Sequence, residues 1–195
     1  MEKSPKNINR RQKPTVHSAP NLIMYSSYQH CIYGHPLYLL VAAERVVACS
    51  FSHKKHRQTI QTFSSEQPDF ELSHEPLPDQ FRRPLINYLT GKIMALAWPR
   101  DELLLLRGSP FQRMVWKYIA AIPYGETCCY GEIARQMGGR KYARAVGGAC
   151  NANPLALLIP CHRVVARKGL GGFAADRTIK EKLLQLEAGT FRAGS

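Results

Sequence analysis

The segment Ile159-Pro160-Cys161-His162-Arg163-Val164-Val165 limits what this chain can be more than any other stretch. An apolar run over 155–159 precedes it, and a glycine-rich turn over 169–172 follows it. A thiol therefore stands beside an imidazole, with a proline on one side and a β-branched pair on the other. Within residues 101–195 His162 is the only histidine, so a base for Cys161 from this half is its neighbour or a carboxylate. The thiolate is the nucleophile, and a free cysteine is mostly protonated at neutral pH. Adjacent residues on an extended strand face opposite ways. The pair thus needs a turn at Pro160, or a bridging water, before His162 can take the proton. The imidazole needs an orienting carboxylate at its other nitrogen, and Glu187 is the candidate. For the dipeptide alone, a buried thiol beside a solvated ring is the simpler reading.

A chain of 195 residues allows one or two small domains with a proper core. Its 27 Lys and Arg against 14 Asp and Glu give a formal charge of +13. That excess favours an anionic partner, nucleic acid first and an acidic membrane second. Proteins that merely coat RNA share such a composition, so charge alone does not decide. No apolar run reaches the length of a membrane span, and no secretory signal is visible. The six cysteines form no C-x-x-C pair, and the chain does not look like a small secreted scaffold, so reduced thiols in an intracellular protein are expected.

Residues 1–20 carry Lys3, Lys6, Arg10, Arg11 and Lys13 against Glu2 and lack the apolar residues that order a segment. They read as a disordered basic tail. Apolar runs over 37–42 and 45–51, broken at Ala43-Glu44, read as a hairpin. His30, Cys31, His35, His53 and His56 surround it, but their spacing matches no standard zinc pattern, and surface or packing roles are expected. Leu77-Pro78-Asp79 opens a helix with Phe81, Leu85, Tyr88 and Leu89 on one face, ending near Gly91. Ser109, Pro110 and Gln112 form a capping-box start, followed by Phe111, Met114, Val115, Tyr118, Ile119 and Ile122 at helical spacing. Core packing accounts for all of these and for Trp116. Helices over 130–137 and 142–151, joined at Gly138-Gly139, give a helix-turn-helix pattern, with Arg140, Lys141 and Arg144 at the start of the second helix. The small residues Ala143, Ala145, Gly147, Gly148 and Ala149 let that helix approach a partner closely. Asn153-Pro154 breaks the helix. A last helix runs over 178–186, with Asp176 as a possible cap, Glu187 just after it and Gly189 as a stop.

The string Pro160-Cys161-His162-Arg163-Val164-Val165 resembles the active-site motif of the O6-alkylguanine-DNA alkyltransferases, or methylated-DNA–protein-cysteine methyltransferases. Ser109-Pro110-Phe111-Gln112 with Val115-Trp116, Ile122-Pro123-Tyr124-Gly125-Glu126, Ala143-Arg144-Ala145-Val146-Gly147-Gly148-Ala149 and Asn153-Pro154 stand in that family's order and spacing, over roughly residues 106–189. The resemblance implies an α+β fold. An N-terminal strand-and-helix, ribonuclease H-like structural domain over 21–104 would precede a mostly helical domain over 105–195 with a helix-turn-helix. It implies single-use transfer of an alkyl group from O6-alkylguanine, and possibly O4-alkylthymine, in double-stranded DNA to Cys161. No cofactor, metal or membrane is expected, and the protein should be monomeric, in a bacterial-type cytoplasm or a eukaryotic nucleus.

The same resemblance implies the roles of single residues. His162, oriented by Glu187, activates Cys161. Tyr130 and Arg144 push the damaged nucleotide from the duplex, and the Tyr130 hydroxyl protonates the departing base. Ala143 and Gly147 face DNA with Arg144. Asn153 is a hinge, and Pro160, Val164, Phe173 and Ala174 shape the substrate pocket. The chain departs from the family at Phe173, where tyrosine is usual, and at Asp176, where glycine is. The dyad alone would also suit a hydrolase, which needs an oxyanion hole and turns over. The helix pair alone would suit a DNA-binding regulator, which has no use for the cysteine motif.

Overall fold

The computed structural model of the protein describes residues 23–32, 34–42, 44–66, 71–73, 76–99 and 108–189. The basic segment 1–20 and the boundary expected at 104–105 lie outside them. Strands β1 (Ile23–Ile32), β2 (His35–Ala42) and β3 (Arg45–Ser50) run antiparallel in succession. Helix α1 (His53–Glu66) follows, and β4 (Glu71–Ser73) returns parallel to β1, giving the order β3-β2-β1-β4. The expected hairpin is β2–β3, closed at the Ala42↔Arg45 pair, with Glu44 in the left-handed region at φ 59°.

The period of two along a strand assigns its faces. Leu37, Leu39 and Val41 join the main core, while Leu40 and Ala42 join a second cluster with Val47, Ala48 and Phe63. Helix α1 covers that second face, and the sequence reading did not contain it. It buries only His56 and Phe63, too sparse a stripe to show as a helical period. The rings proposed to surround the hairpin take other partners. The imidazole of His56 stacks on Tyr38 at 5.1 Å, and His35 Nε2 lies 3.0 Å from the Thr178 hydroxyl. The side chains of His30 and Cys31 lie outside the described residues. Among the described residues no three His, Cys, Asp or Glu groups share a metal-binding position.

Helix α2 (Asp79–Leu89) buries Phe81, Leu85 and Tyr88, as its spacing requires. Helix α3 (Pro110–Ala120) starts with the expected capping box: the Gln112 amide donates to Ser109 Oγ at 3.2 Å and the Ser109 amide to Gln112 Oε1 at 2.8 Å. Such a cap stabilises by about 1 kcal/mol. The helix buries the narrow stripe Val115, Trp116 and Ile119, whereas Met114 is 51% exposed and Tyr118 40%. Reading every apolar residue of α3 as core was therefore too broad, because two adjacent rows of the helix had been merged into one face. Trp116 is tethered at its polar edge, where Nε1 donates to the Ala149 carbonyl at 2.9 Å.

Strand β5 (Cys128–Cys129), α4 (Tyr130–Gln136), a 3₁₀ turn (Arg140–Tyr142) and α5 (Ala143–Ala152) come next. A second 3₁₀ turn (Cys161–Arg163), β6 (Val164–Val165) and α6 (Arg177–Glu187) complete the described chain. The Asp176 carboxylate caps α6, accepting from the Thr178 amide at 2.9 Å. One apolar core runs from Leu39 and Val46 through Phe81 and Leu85 to Ile119, Val146 and Leu183. The sheet also grips the second half through its backbone. The Cys49 amide donates to the Pro154 carbonyl at 2.9 Å, and the Ala156 amide to the Cys49 carbonyl at 2.8 Å. The segment leading to Cys161 is thus sewn to β3. No helix among the described residues is long and apolar enough to cross a membrane.

Candidate active site

Pro160 answers the problem of two neighbours facing opposite ways. At φ −77° and ψ 67° it is the centre of an inverse γ-turn, and the Cys161 amide donates to the Ile159 carbonyl at 2.7 Å. The 3₁₀ turn that follows sends Cys161 towards a cleft and His162 and Arg163 towards α6. The loop before it is closed by Asn153. Its Nδ2 donates to the Ile159 carbonyl at 2.8 Å, and its Oδ1 accepts from the Leu155 amide at 3.0 Å. Asn153 is 5% exposed, so these bonds are made out of solvent.

Behind Cys161 lies the buried carboxylate of Glu187. Its Oε1 is 2.7 Å from His162 Nε2 and accepts from the Tyr88 hydroxyl at 2.6 Å. The Arg163 guanidinium donates Nε to Oε2 at 2.8 Å and Nη2 to Oε1 at 3.0 Å, and its Nη1 donates to the Ile122 carbonyl at 2.7 Å. The Gly125 amide adds a bond to Oε2 at 3.2 Å. At φ 79°, with a Cβ that would stand 3.1 Å from the Glu187 carbonyl oxygen, position 125 would accept a residue other than glycine only at a cost in strain.

These contacts set the protonation states. Burial pushes the Glu187 carboxyl up, but hydrogen bonds from His162, Arg163 and Tyr88 more than offset it and hold the group at about 2. Burial pushes His162 below its ordinary value, and the Arg163 and Lys180 charges add to this while Glu187 opposes. Arg163 already supplies the positive charge that neutralises Glu187, so the imidazole stays neutral. Because an ionised carboxylate only accepts, the neutral ring must carry its proton on Nε2, which leaves Nδ1 as a free base.

In front of Cys161 lies a cleft of about 410 Å³. Of the residues expected there, Tyr130, Ala143, Arg144, Gly147, Phe173 and Ala174 line it together with Cys161. Asn153, Pro160 and Val164 are buried beside it and are not part of its wall. The wall also contains Cys150 and Asn151 of α5, which the sequence reading passed over, and Gly172. The Tyr130 hydroxyl donates to the Gly172 carbonyl at 3.1 Å, and burial raises its pKa to about 12, so it keeps its proton. Phe173 rests against Phe51 at the end of β3, with ring centroids 6.1 Å apart.

The glycine loop 169–172 makes its tightest contact with the protein itself. A Cβ on Gly171, at φ 71°, would come within 2.8 Å of the Tyr130 ring and 3.0 Å of the Ala166 nitrogen. Lys180 also escaped the sequence reading. It is fully buried, and its ammonium donates to the carbonyls of Val164 at 2.6 Å and Gly172 at 3.1 Å. The signal was available, since Lys180 and Glu187 stand seven positions apart on one helical face. Burial raises the pKa of the Cys161 thiol, while Asn153, Lys55 and Lys180 pull it back.

The family described as 6-O-methylguanine DNA methyltransferase, DNA binding domain, matches residues 110–189. A methylated-DNA–protein-cysteine methyltransferase of Methanosarcina acetivorans is 43% identical over 123 residues, which is 63% of this chain and 76% of that protein. One from Mycolicibacterium paratuberculosis is 53% identical over 88 residues, 45% of this chain and 53% of its own. The crystal structure of Mycobacterium tuberculosis O6-methylguanine methyltransferase superposes with a TM-score of 0.68 at 30% identity, covering 89% of this chain and 96% of that one. The mycobacterial protein in complex with DNA gives the same TM-score, 0.68, at 30% identity, covering 88% and 96%.

Proposed function

The chain belongs to the methylated-DNA–protein-cysteine methyltransferase family, and on that premise we propose that it repairs DNA by moving an alkyl group from O6-alkylguanine to its own Cys161. The observation that carries the reading is the position of Cys161. It closes the floor of a cleft walled by Arg144 and Tyr130, with a neutral imidazole held by a buried carboxylate behind it.

The chemistry follows from the geometry. Glu187 fixes the Nε2–H of His162, and the free Nδ1 takes the thiol proton through a water. The sulfur forms a bond to the alkyl carbon as the bond from that carbon to the guanine oxygen breaks, in a single displacement. The Tyr130 hydroxyl, held on the Gly172 carbonyl, turns to the departing base and supplies the proton that keeps it from leaving as an anion. A thioether does not hydrolyse, so each chain acts once. No cofactor enters this scheme.

Chemistry on a base inside a duplex requires that the base leave the stack. We assign α4 and α5, joined through Gly138-Gly139 and the 3₁₀ turn, to a helix-turn-helix. Support comes from the exposed Arg140, Lys141 and Arg144, and from Ala143 and Gly147 at the cleft edge, where the backbone can come close to DNA. Arg144 fills the gap left by the extruded nucleotide. Asn153, clipped at both ends of the loop, is the hinge between α5 and Cys161. We take the β3-β2-β1-β4 sheet with α1 as a ribonuclease H-like N-terminal unit over 21–104, ahead of a transfer unit over 105–195. The return of β4 parallel to β1 supports that assignment.

The test is to incubate the protein with duplex DNA carrying O6-methylguanine and weigh it. One methyl mass per chain, confined to the peptide containing Cys161 and absent from Cys161→Ser, is the expected result. Turnover beyond one equivalent, or label on another cysteine, overturns the mechanism.

A further inference from the structure

A thiolate created on a side chain as buried as Cys161 needs a compensating positive charge. His162 does not carry one, because Glu187 is neutralised by Arg163. The groups that face Cys161 are Cys49 on β3, Cys150 on α5, Tyr130 on α4, His162 beside it, Lys55 on α1 and Lys180 on α6. Arg144 lines the same cleft as Cys161 and is exposed. Among those six, only the two lysines bring positive charge, and Lys55 belongs to the N-terminal half, whose other contribution to the site is the Tyr88 bond to Glu187.

Lys55 reaches the site from the first turn of α1. Its ammonium donates to the Asn151 carbonyl in the last turn of α5, and Asn151 lines the cleft. It also lines a small recess on the sheet side of Cys161, shared with Ser50, Ser52, Asn153 and Cys161 itself. At about 10 Å³ that recess is at most the size of one water, and Phe51, Ala156 and Phe173 are also part of its lining. The end of a helix carries negative partial charge, so the Asn151 carbonyl is a natural anchor for an ammonium.

We propose that Lys55 is a positioning residue of the transfer reaction, which locks the end of α5 against α1 and supplies part of the positive charge that makes Cys161 a thiolate. The N-terminal unit would then take part in activating the nucleophile. The charge effects run the same way: the Lys55 charge opposes the rise that burial imposes on the Cys161 thiol, and burial, which lowers Lys55, is partly offset by Cys161.

The inference rests on the transfer reading, and the experiment separates the two. The rate of benzyl transfer from free O6-benzylguanine, read as mass gain on Cys161, is measured against pH for wild type, Lys55→Gln, Lys55→Met and Lys55→Arg. A free base needs no extrusion, so contacts with DNA do not enter. Gln keeps a donor for Asn151 without the charge, Met keeps the length without either, and Arg keeps the charge; thermal melts identify any variant that fails to fold. The neutral variants should react roughly tenfold more slowly near pH 7. Their gap from wild type should close as pH rises, because the thiol then ionises without help. Lys55→Arg should stay within about twofold of wild type. Neutral variants with the wild-type profile, or slowed by one factor at every pH, would overturn the role of Lys55 and leave the transfer reading intact. A wild-type chain that takes up no benzyl group would overturn both.

Discussion

Behind Cys161, the Glu187 carboxylate is fixed by Tyr88, His162, Arg163 and Gly125, and hardly any of it meets solvent. In front of it, the cleft is walled by half-buried Tyr130 and Phe173 and by exposed Arg144. The rear face uses charged hydrogen bonds in a dry environment, where each partner is costly to leave alone. The front face leaves each of these side chains partly in contact with solvent. A proton path needs fixed distances, whereas a site that takes in a base must first be open. On the proposed mechanism the rear face serves stability and thiol activation, and the front face serves DNA handling.

The largest expected effect lies on the rear face. Glu187→Gln leaves the Arg163 guanidinium buried with little beyond the Ile122 carbonyl, which should cost roughly 3–5 kcal/mol of stability. Thermal unfolding would check it, and a loss near zero would mean that the rear face is not the rigid one. The same variant tests the pH dependence. Glu187 is held at about 2 against 4.5 for the free group, so its stabilisation is full above 4.5 and lost as pH falls towards 2. The depressed His162 works in the same sense, its contribution beginning to fade once pH falls below 6.5. Melting temperature should therefore fall with acidification, and Glu187→Gln should flatten the lower part of that fall.

His162→Ala should slow transfer by about 10²–10⁴-fold, and equally for O6-methylguanine in duplex and free O6-benzylguanine, because proton removal is common to both. Combined with Glu187→Gln it should cost little more activity than the worse single change. Additive losses would place Glu187 outside the proton path and leave it a structural anchor for Arg163.

On the front face, Arg144→Ala should slow duplex repair by roughly 10–100-fold, the equivalent of part of the unstacking cost. Reaction with the free base should hardly change, and equal losses on both substrates would show that Arg144 belongs to the rigid face after all. The smallest effect expected is that of Tyr88→Phe. It removes one hydrogen bond to Glu187 and should lower stability by about 1 kcal/mol, with transfer preserved by the remaining partners.

Features governed by neighbours in the chain were legible without coordinates. The Ser109–Gln112 box, the β2–β3 hairpin, the buried face of α2 and the Asp176 cap all depend on residues within a few positions of one another. The cysteine motif singled out Cys161 as the candidate nucleophile, and the position of Glu187 made it a candidate for His162. Helix α1 stayed hidden because its exposed side is polar and its buried side is short. Met114 and Tyr118 were misplaced because a helical period shows that a face is apolar and does not show how wide its neighbour is.

The rest depended on contacts between distant segments. Tyr88 meets Glu187 across 99 residues, Arg163 meets it across 24, and Lys55 meets Asn151 across 96. Nothing in the local sequence of Tyr88 or Lys55 separates them from an ordinary core ring and an ordinary surface cation. The sequence by itself determined the candidate reactive atom and the helices on either side of its loop. Only the packing of α1, α2 and α6 around one loop decided the ionisation of that atom's neighbours, because burial and the approach of distant charges are what shift a pKa.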